Sequence, residues 1–175
     1  VIIGLSGYAR SGKDTVAEYL VEHYGYTRVA FADAVRNYAY EINPLIDNAI
    51  RLAEVVDDYG WDVAKQNLEV RRTLQQVGVA ARNQFGDLFW VNMALDKVSY
   101  TGDYVITDVR FKNEASHIKR RDYAQIWRIE RPGVGPINNH ISEVDMDDWE
   151  YDFTFVNSGT LEDLALSVRT RLQHV

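Results

Sequence analysis

Nine residues near the start of the chain read Gly7-Tyr-Ala-Arg-Ser-Gly12-Lys13-Asp14-Thr15. Their types and spacing suit one task, the holding of a phosphate chain. Glycines let the backbone curl so that its N–H groups face an anion. A helix that opens directly after the loop adds about half a positive charge at its N-terminus. Lys13 can then reach the outer phosphates, with Ala9, Arg10 and Ser11 filling the loop between the two glycines. The residue after such a lysine is ordinarily Ser or Thr, whose hydroxyl binds Mg²⁺. Here it is Asp14, with Thr15 following. A carboxylate beside a nucleotide triphosphate is repelled unless a cation lies between them, which implies a Mg²⁺-dependent site. Asp14 binds that ion directly, through water, or orients another group. The bare pattern also admits a plain tight turn, and an acidic first helical turn is stabilising by itself.

The elements around this loop have to deliver it. Val1–Leu5 is a short apolar run, as in a strand buried on both faces. From Lys13 to Tyr24 the apolar residues Val16, Tyr19, Leu20 and Tyr24 fall at helical spacing, and Gly25 stops the helix. Thr27–Phe31 reads as a second strand. Residues 33–99 show no convincing strand; they hold helical stretches at about 33–42, 45–58, 68–84 and 89–99, punctuated by Pro44, Gly60 and Gly86. Strands return at Tyr104–Val109, Gln125–Glu130 and Phe153–Val156, with a helix over about 112–121 between the first two. The segment Arg131–Pro136 opens a loop, and Thr160–Leu172 closes the chain as a helix. Strands alternating with helices imply an α/β fold with a mostly parallel sheet covered on both faces.

Composition narrows the classes. The 175 residues are 46% hydrophobic and 26% charged, enough for one sizeable core. The net charge of −7 disfavours a nucleic-acid polymer as partner. The absence of Cys excludes disulfides and thiolate chemistry. No apolar run approaches a membrane span, and the first residues lack the basic leader of a signal peptide. With no initiator Met, this end is expected to have been processed or trimmed. A cytoplasmic location is the expectation. Of the 19 basic residues, 14 are Arg, whose planar fork suits phosphate and carboxylate. Compositional bias and a local anion pocket both account for that excess.

The loop, together with later motifs, resembles the bacteriophage-type deoxynucleoside monophosphate kinases. The later motifs are Phe31-Ala-Asp33-Ala-Val-Arg36, Arg71-Arg72-Thr-Leu-Gln75-Gln-Val-Gly78, Trp90-Val, Thr107-Asp108-Val-Arg110-Phe-Lys-Asn-Glu114, Arg128-Ile-Glu-Arg131-Pro, His140-Ile-Ser142-Glu143 and Asn157-Ser-Gly159-Thr-Leu-Glu-Asp. They run through nearly the whole chain, and their order and spacing are more specific than any one of them. One departure is Val79, where the family typically has Thr after the glycine. The resemblance implies transfer of the γ-phosphoryl group of ATP to a deoxynucleoside monophosphate (dNMP), with Mg²⁺. It implies the three-layer P-loop kinase fold: a five-stranded parallel sheet with a helical substrate-binding insert and a lid. The expected organisation is a core of residues 1–32 and 100–175, an insert of about 33–99 and a lid of about 131–150.

Roles follow from that resemblance and from charge. Phosphoryl transfer needs positioning and neutralisation more than covalent chemistry. ATP is expected over Gly7–Thr15, with Lys13 bridging its phosphates. The acceptor phosphate needs cations, for which Arg36, Arg71, Arg72, Arg82 and Arg110 are candidates. Arg71 and Gln75 share a helix face that Gly78 and Arg82 extend; a solvated basic face, or a DNA-binding helix pair over 65–82, are the other readings. Asp108 and Arg110 fall at a strand end, where parallel sheets bind ligands, as a substrate or metal group and a phosphate clamp, or as a plain salt bridge. Asp14, Thr15 and Asp108 are the metal candidates. The resemblance adds Asp33, Glu114, His140 and Glu143 to the substrate site and Trp90 as the base platform, with Trp61, Phe85 and Trp149 as substitutes. Arg131 is the lid arginine, Arg128 stacks on adenine, and Asn157 and Gly159 border the adenine seat. A homodimer is left open. Two further readings remain: a kinase of another small phosphate such as phosphomevalonate, and a nucleotide-gated switch.

Overall fold

The computed structural model describes residues 1–99, 101–136 and 141–175. Along the chain run β1 (Ile2–Ser6), α1 (Lys13–Tyr24), β2 (Thr27–Val29), α2 (Phe31–Ile42), β3 (Leu45–Ile46), β4 (Ile50–Arg51), α3 (Leu52–Ala64) and α4 (Leu68–Phe85). There follow α5 (Phe89–Leu95), β5 (Tyr104–Ile106), α6 (Lys112–Ile118), β6 (Ala124–Glu130), α7 (Ile141–Val144), β7 (Phe153–Val156) and α8 (Leu161–Leu172). Two compact units result, residues 1–30 with 97–175 and residues 31–96. Among the described residues, no helix is long and apolar enough to cross a membrane.

The first unit is built on β1, buried at all five positions, as a strand with helices on both faces must be. It pairs in parallel with β5 on one side and β6 on the other. β2 extends the sheet beyond β5, and β7 beyond β6, giving the order β2-β5-β1-β6-β7. The expected five-stranded parallel sheet is therefore present. One face packs Ile3, Leu5, Trp127, Ile129 and Phe155 against Val16 and Leu20 of α1 and Leu164 and Val168 of α8. Trp127 and Phe155 meet edge to face at 5.2 Å, an arrangement aromatic quadrupoles favour. Gly25 ends α1 in a left-handed conformation, its N–H bonded to the Leu20 carbonyl. Thr160 and Asp163 cap the start of α8 reciprocally.

The second unit is helical, around buried Ala39, Ile46, Leu52, Ala64 and Val70. Asn67 caps α4 by accepting from the Glu69 and Val70 N–H groups. One sequence expectation is corrected here. The stretch 45–58 is not a single helix: β3 and β4 form a small antiparallel hairpin, and the helix starts only at Leu52. Asp47 and Asn48 take φ of 51° and 55° between the two strands, a left-handed turn that Asp and Asn tolerate. In the first unit, β2 stops at Val29 because Phe31 already opens α2.

Trp127 has no exposed surface, so its removal leaves a cavity that this core cannot refill. Trp127→Ala should lower the unfolding free energy by about 3–5 kcal/mol in urea titrations. A loss below about 1 kcal/mol would mean that the two aromatics do not form the centre of this core.

Candidate active site

The phosphate loop leaves the end of β1 and is gripped by two neighbouring strands. Gly7 has φ of 135°, and a Cβ there would run into the Ile129 carbonyl of β6. Gly12 has φ of 110° and lies against the Asn157 amide. That amide donates to the Ser11 carbonyl at 2.9 Å, while the Asn157 N–H donates to Glu130 at 2.7 Å. Arg10 is exposed and left-handed, with φ of 66°. The Ser11 N–H closes the turn on the Tyr8 carbonyl at 3.2 Å, and the buried Ser11 Oγ has no hydrogen-bond partner among the described residues. Lys13 folds back over the loop, its Nζ donating to the Gly7 and Tyr8 carbonyls, both at 2.7 Å. Burial pulls its pKa below the usual value, and Arg110 pulls the same way; Asp14 and Glu143 oppose them. Asp14 is exposed and Thr15 half-buried, both in the first turn of α1.

Beside the loop, the chain beyond β5 stays against β1, the Val109 N–H reaching the Leu5 carbonyl at 3.2 Å. This carries Asp108 and Arg110 to the carboxyl end of the sheet. Glu114, in the first turn of α6, accepts from the Arg110 and Phe111 N–H groups at 2.8 and 3.1 Å. Burial raises its pKa to about 7 against the pull of those two bonds, and the charge of Asp108 adds to the rise. The Arg110 guanidinium lies 3.5 Å from the Glu143 carboxylate of α7. Lys13, Arg110, Glu143, Asp108 and Glu114 thus form one electrostatic neighbourhood. Arg131 is exposed just past β6, and Gly159 lies against Asp163 at the start of α8.

Arg128 is not available for adenine. Its side chain is about 10% exposed and is committed to Glu130 at 2.8 Å and Asp147 at 3.2 Å. It also donates to the Tyr151 hydroxyl at 3.0 Å. Stacking on a base would strip a buried cation of those partners. Sequence reasoning overlooked three residues of this network: Tyr8, whose hydroxyl donates to Asp147 at 2.7 Å, Asp147 itself, and Tyr151. The one available signal was an aromatic Tyr in a loop otherwise built of small residues and Arg10.

The second unit holds the other expected substrate residues. Asp33 and Arg36 pair at 2.7 Å on α2. Arg71, Arg72 and Gln75 lie exposed on α4, and Arg82 is half-buried on the same helix. A cleft of about 460 Å³ is lined by Asp62, Lys65, Gln66, Arg71, Leu74 and Gln75. Gly78 is buried against Val35, and its carbonyl accepts the Trp90 indole N–H at 3.0 Å. Trp90 is 3% exposed, edge-on to Tyr38 and Phe89. It is a core residue in this structure, with no face open to a base. His140 lies outside the described residues.

Comparison with known proteins bears on the family and the fold. A family model described as deoxynucleotide monophosphate kinase matches residues 45–168. A protein of Acanthamoeba polyphaga mimivirus assigned as a deoxynucleotide monophosphate kinase is 31% identical, over 93% of this chain and 91% of that protein. The deoxynucleotide monophosphate kinase of Enterobacteria phage T4 is 23% identical, over 98% of each. Among solved structures, shikimate kinase from Aquifex aeolicus superimposes with a TM-score of 0.50 at 11% identity, over 99% of this chain and 96% of that one. That likeness speaks for the P-loop kinase fold alone.

Glu114 makes stability depend on pH. Its folded pKa of about 7 lies above the usual 4.5, so the folded state binds the proton more tightly than the unfolded one. The group's contribution is full below pH 4.5 and is lost as pH rises through 7. Glu114→Gln has no such proton. Relative to wild type, its unfolding free energy should climb between those two values by on the order of 3 kcal/mol. Urea titrations across the window read this directly, and a flat difference would contradict it.

Proposed function

The chain belongs to the deoxynucleotide monophosphate kinase family, and from that premise we propose how its residues carry the γ-phosphoryl group of ATP to a dNMP. It is a phosphotransferase whose products are the deoxynucleoside diphosphate and ADP. The observation that most supports this reading is Lys13, held at the start of α1 with its ammonium on the carbonyls of its own loop. Arriving phosphates offer that ammonium stronger, charged acceptors than two neutral carbonyls. Lys13 then turns from the loop to the β- and γ-phosphates. The N–H groups opening α1 face the same anion, and the unpartnered Ser11 hydroxyl is a ready donor.

Among the described residues there is no group of three or more side chains suited to a metal ion. An ion delivered with the nucleotide needs no such group, because Mg²⁺ keeps several waters and takes one or two protein oxygens beside the phosphates. Thr15 and Asp108 would hold it, with Asp14 acting directly or through water. When bound, it neutralises charge on the phosphate oxygens.

Arg110 takes the transferring group or the acceptor phosphate. Glu143 holds its guanidinium beside Lys13 until a phosphate, the better-charged partner, displaces the carboxylate. Arg131 neutralises the developing charge and helps exclude water. Arg36, Arg71, Arg72 and Arg82 serve the acceptor phosphate, with Asp33 and Gln75 for its sugar or base. Asn157 and Gly159 border the adenine. Arg128 and Trp90 act as supports, for the reasons their burial gives.

Incubation with ATP, Mg²⁺ and each of the four dNMPs should yield the corresponding diphosphates, resolved by ion-exchange chromatography. Folded protein that turns over none of them would refute the reading; turnover of phosphomevalonate instead would replace the acceptor. Lys13→Met should lower kcat by about 10²- to 10³-fold with an unchanged circular dichroism spectrum. Full activity in that variant would refute the role of the loop.

A further inference from the structure

We propose that Tyr8 and Asp147 are positioning residues of this kinase: their hydrogen bond clamps the segment carrying Glu143 onto the phosphate loop, so that loop and Arg110–Glu143 pair keep one geometry. The inference rests on the kinase reading above and goes beyond it to a contact that no motif predicts. Tyr8 faces two ways. Its carbonyl accepts the Lys13 ammonium at 2.7 Å. Its hydroxyl donates to Asp147 Oδ1 at 2.7 Å, across 139 residues of sequence. The same carboxylate oxygen accepts from Arg128 at 3.2 Å. The Arg128 guanidinium in turn lies 5.2 Å from the centre of the Tyr8 ring and 5.4 Å from that of Tyr151, within the range of a cation–π contact. The Tyr151 hydroxyl returns to the Met146 carbonyl at 2.6 Å.

Residues 141–148 are therefore tied at two places. On one side Asp147 meets the phosphate loop. On the other, Asp145 accepts the Lys112 N–H at 2.8 Å, and Asp148 pairs with the Lys112 ammonium at 2.7 Å, at the start of α6. Glu143 belongs to the segment these ties secure, and its partner Arg110 sits two residues before Lys112. The Tyr8–Asp147 bond is solvent-exposed. Such a bond adds little to global stability. Its placement fits a different task, because transfer is sensitive to ångström-scale displacement of the groups around the phosphates.

The test uses the full chain with Tyr8→Phe, which keeps the ring on Arg128, with Asp147→Ala, which removes the acceptor shared by Tyr8 and Arg128, and with both. Each single variant should lower kcat about tenfold and leave the dNMP KM within about twofold, and Tyr8→Phe should keep the thermal midpoint of the wild type. The double variant should cost no more than Asp147→Ala alone, because that substitution already removes the Tyr8–Asp147 contact. Amide hydrogen exchange in residues 141–148 should speed up in every variant. Unchanged kcat, losses that multiply, or unchanged exchange would each overturn the proposal. Lower kcat that only tracks a lower thermal midpoint would also overturn it, since a structural role gives that result. If the wild type turns over no dNMP, the kinase reading fails, and the exchange measurement alone decides whether the clamp exists.

Discussion

Gly7 passes so closely under the Ile129 carbonyl that no side chain fits between the loop and β6. Much of the first unit follows from that approach. The loop can only be held there if β6 lies directly beside β1, and β6 can only lie there in parallel if helices supply the crossovers. β7 must then follow β6, which brings Asn157 to the loop, where its amide holds the Ser11 carbonyl. The backbone is held at two points, Gly7 and Ser11, before any ligand arrives. A phosphate-binding loop gains from this rigidity, because N–H groups already in place need no reorganisation when the anion binds.

Charge is arranged as locally as the backbone. The chain carries a net charge of −7, yet cations stand where phosphates are expected. Lys13 is desolvated enough to lower its pKa, which strengthens its response to any phosphate that replaces the carbonyls. Arg110 is kept near it by Glu143 rather than left to solvent. The acidic segment 145–148 does more than keep the surface soluble. Asp147 holds a donor on the loop, and Asp145 and Asp148 hold two on Lys112 of α6, so the negative charge organises the elements around a site built for anions.

How much of this the sequence disclosed depended on the distance between partners. Residues 7–15 were legible because their chemistry lies in local spacing: glycines, lysine and helix start are contiguous. Strands β1, β5 and β6 were legible because parallel, doubly buried strands are short apolar runs, whereas β2 and β7 are largely exposed edge strands marked by β-branched and aromatic residues. The hairpin at 45–51 was not, because two-residue strands carry no period and its turn rests on Asp47 and Asn48 in left-handed backbone. Trp90 looked like a base platform until its indole N–H was found on the Gly78 carbonyl, twelve residues away. Arg128 and Asp147 were beyond reach for the same reason. Their partners are set by the sheet order and the return of residues 141–151, and nothing in a linear pattern states which strand lies beside which.

The fate of the γ-phosphate tests the central claim most directly. ATP labelled with ³²P at the γ-position, incubated with protein, Mg²⁺ and a dNMP, should place the label in the β-phosphate of the deoxynucleoside diphosphate. Label recovered only as inorganic phosphate would contradict the account, since it would mean that water, and not a nucleotide, is the acceptor this loop serves.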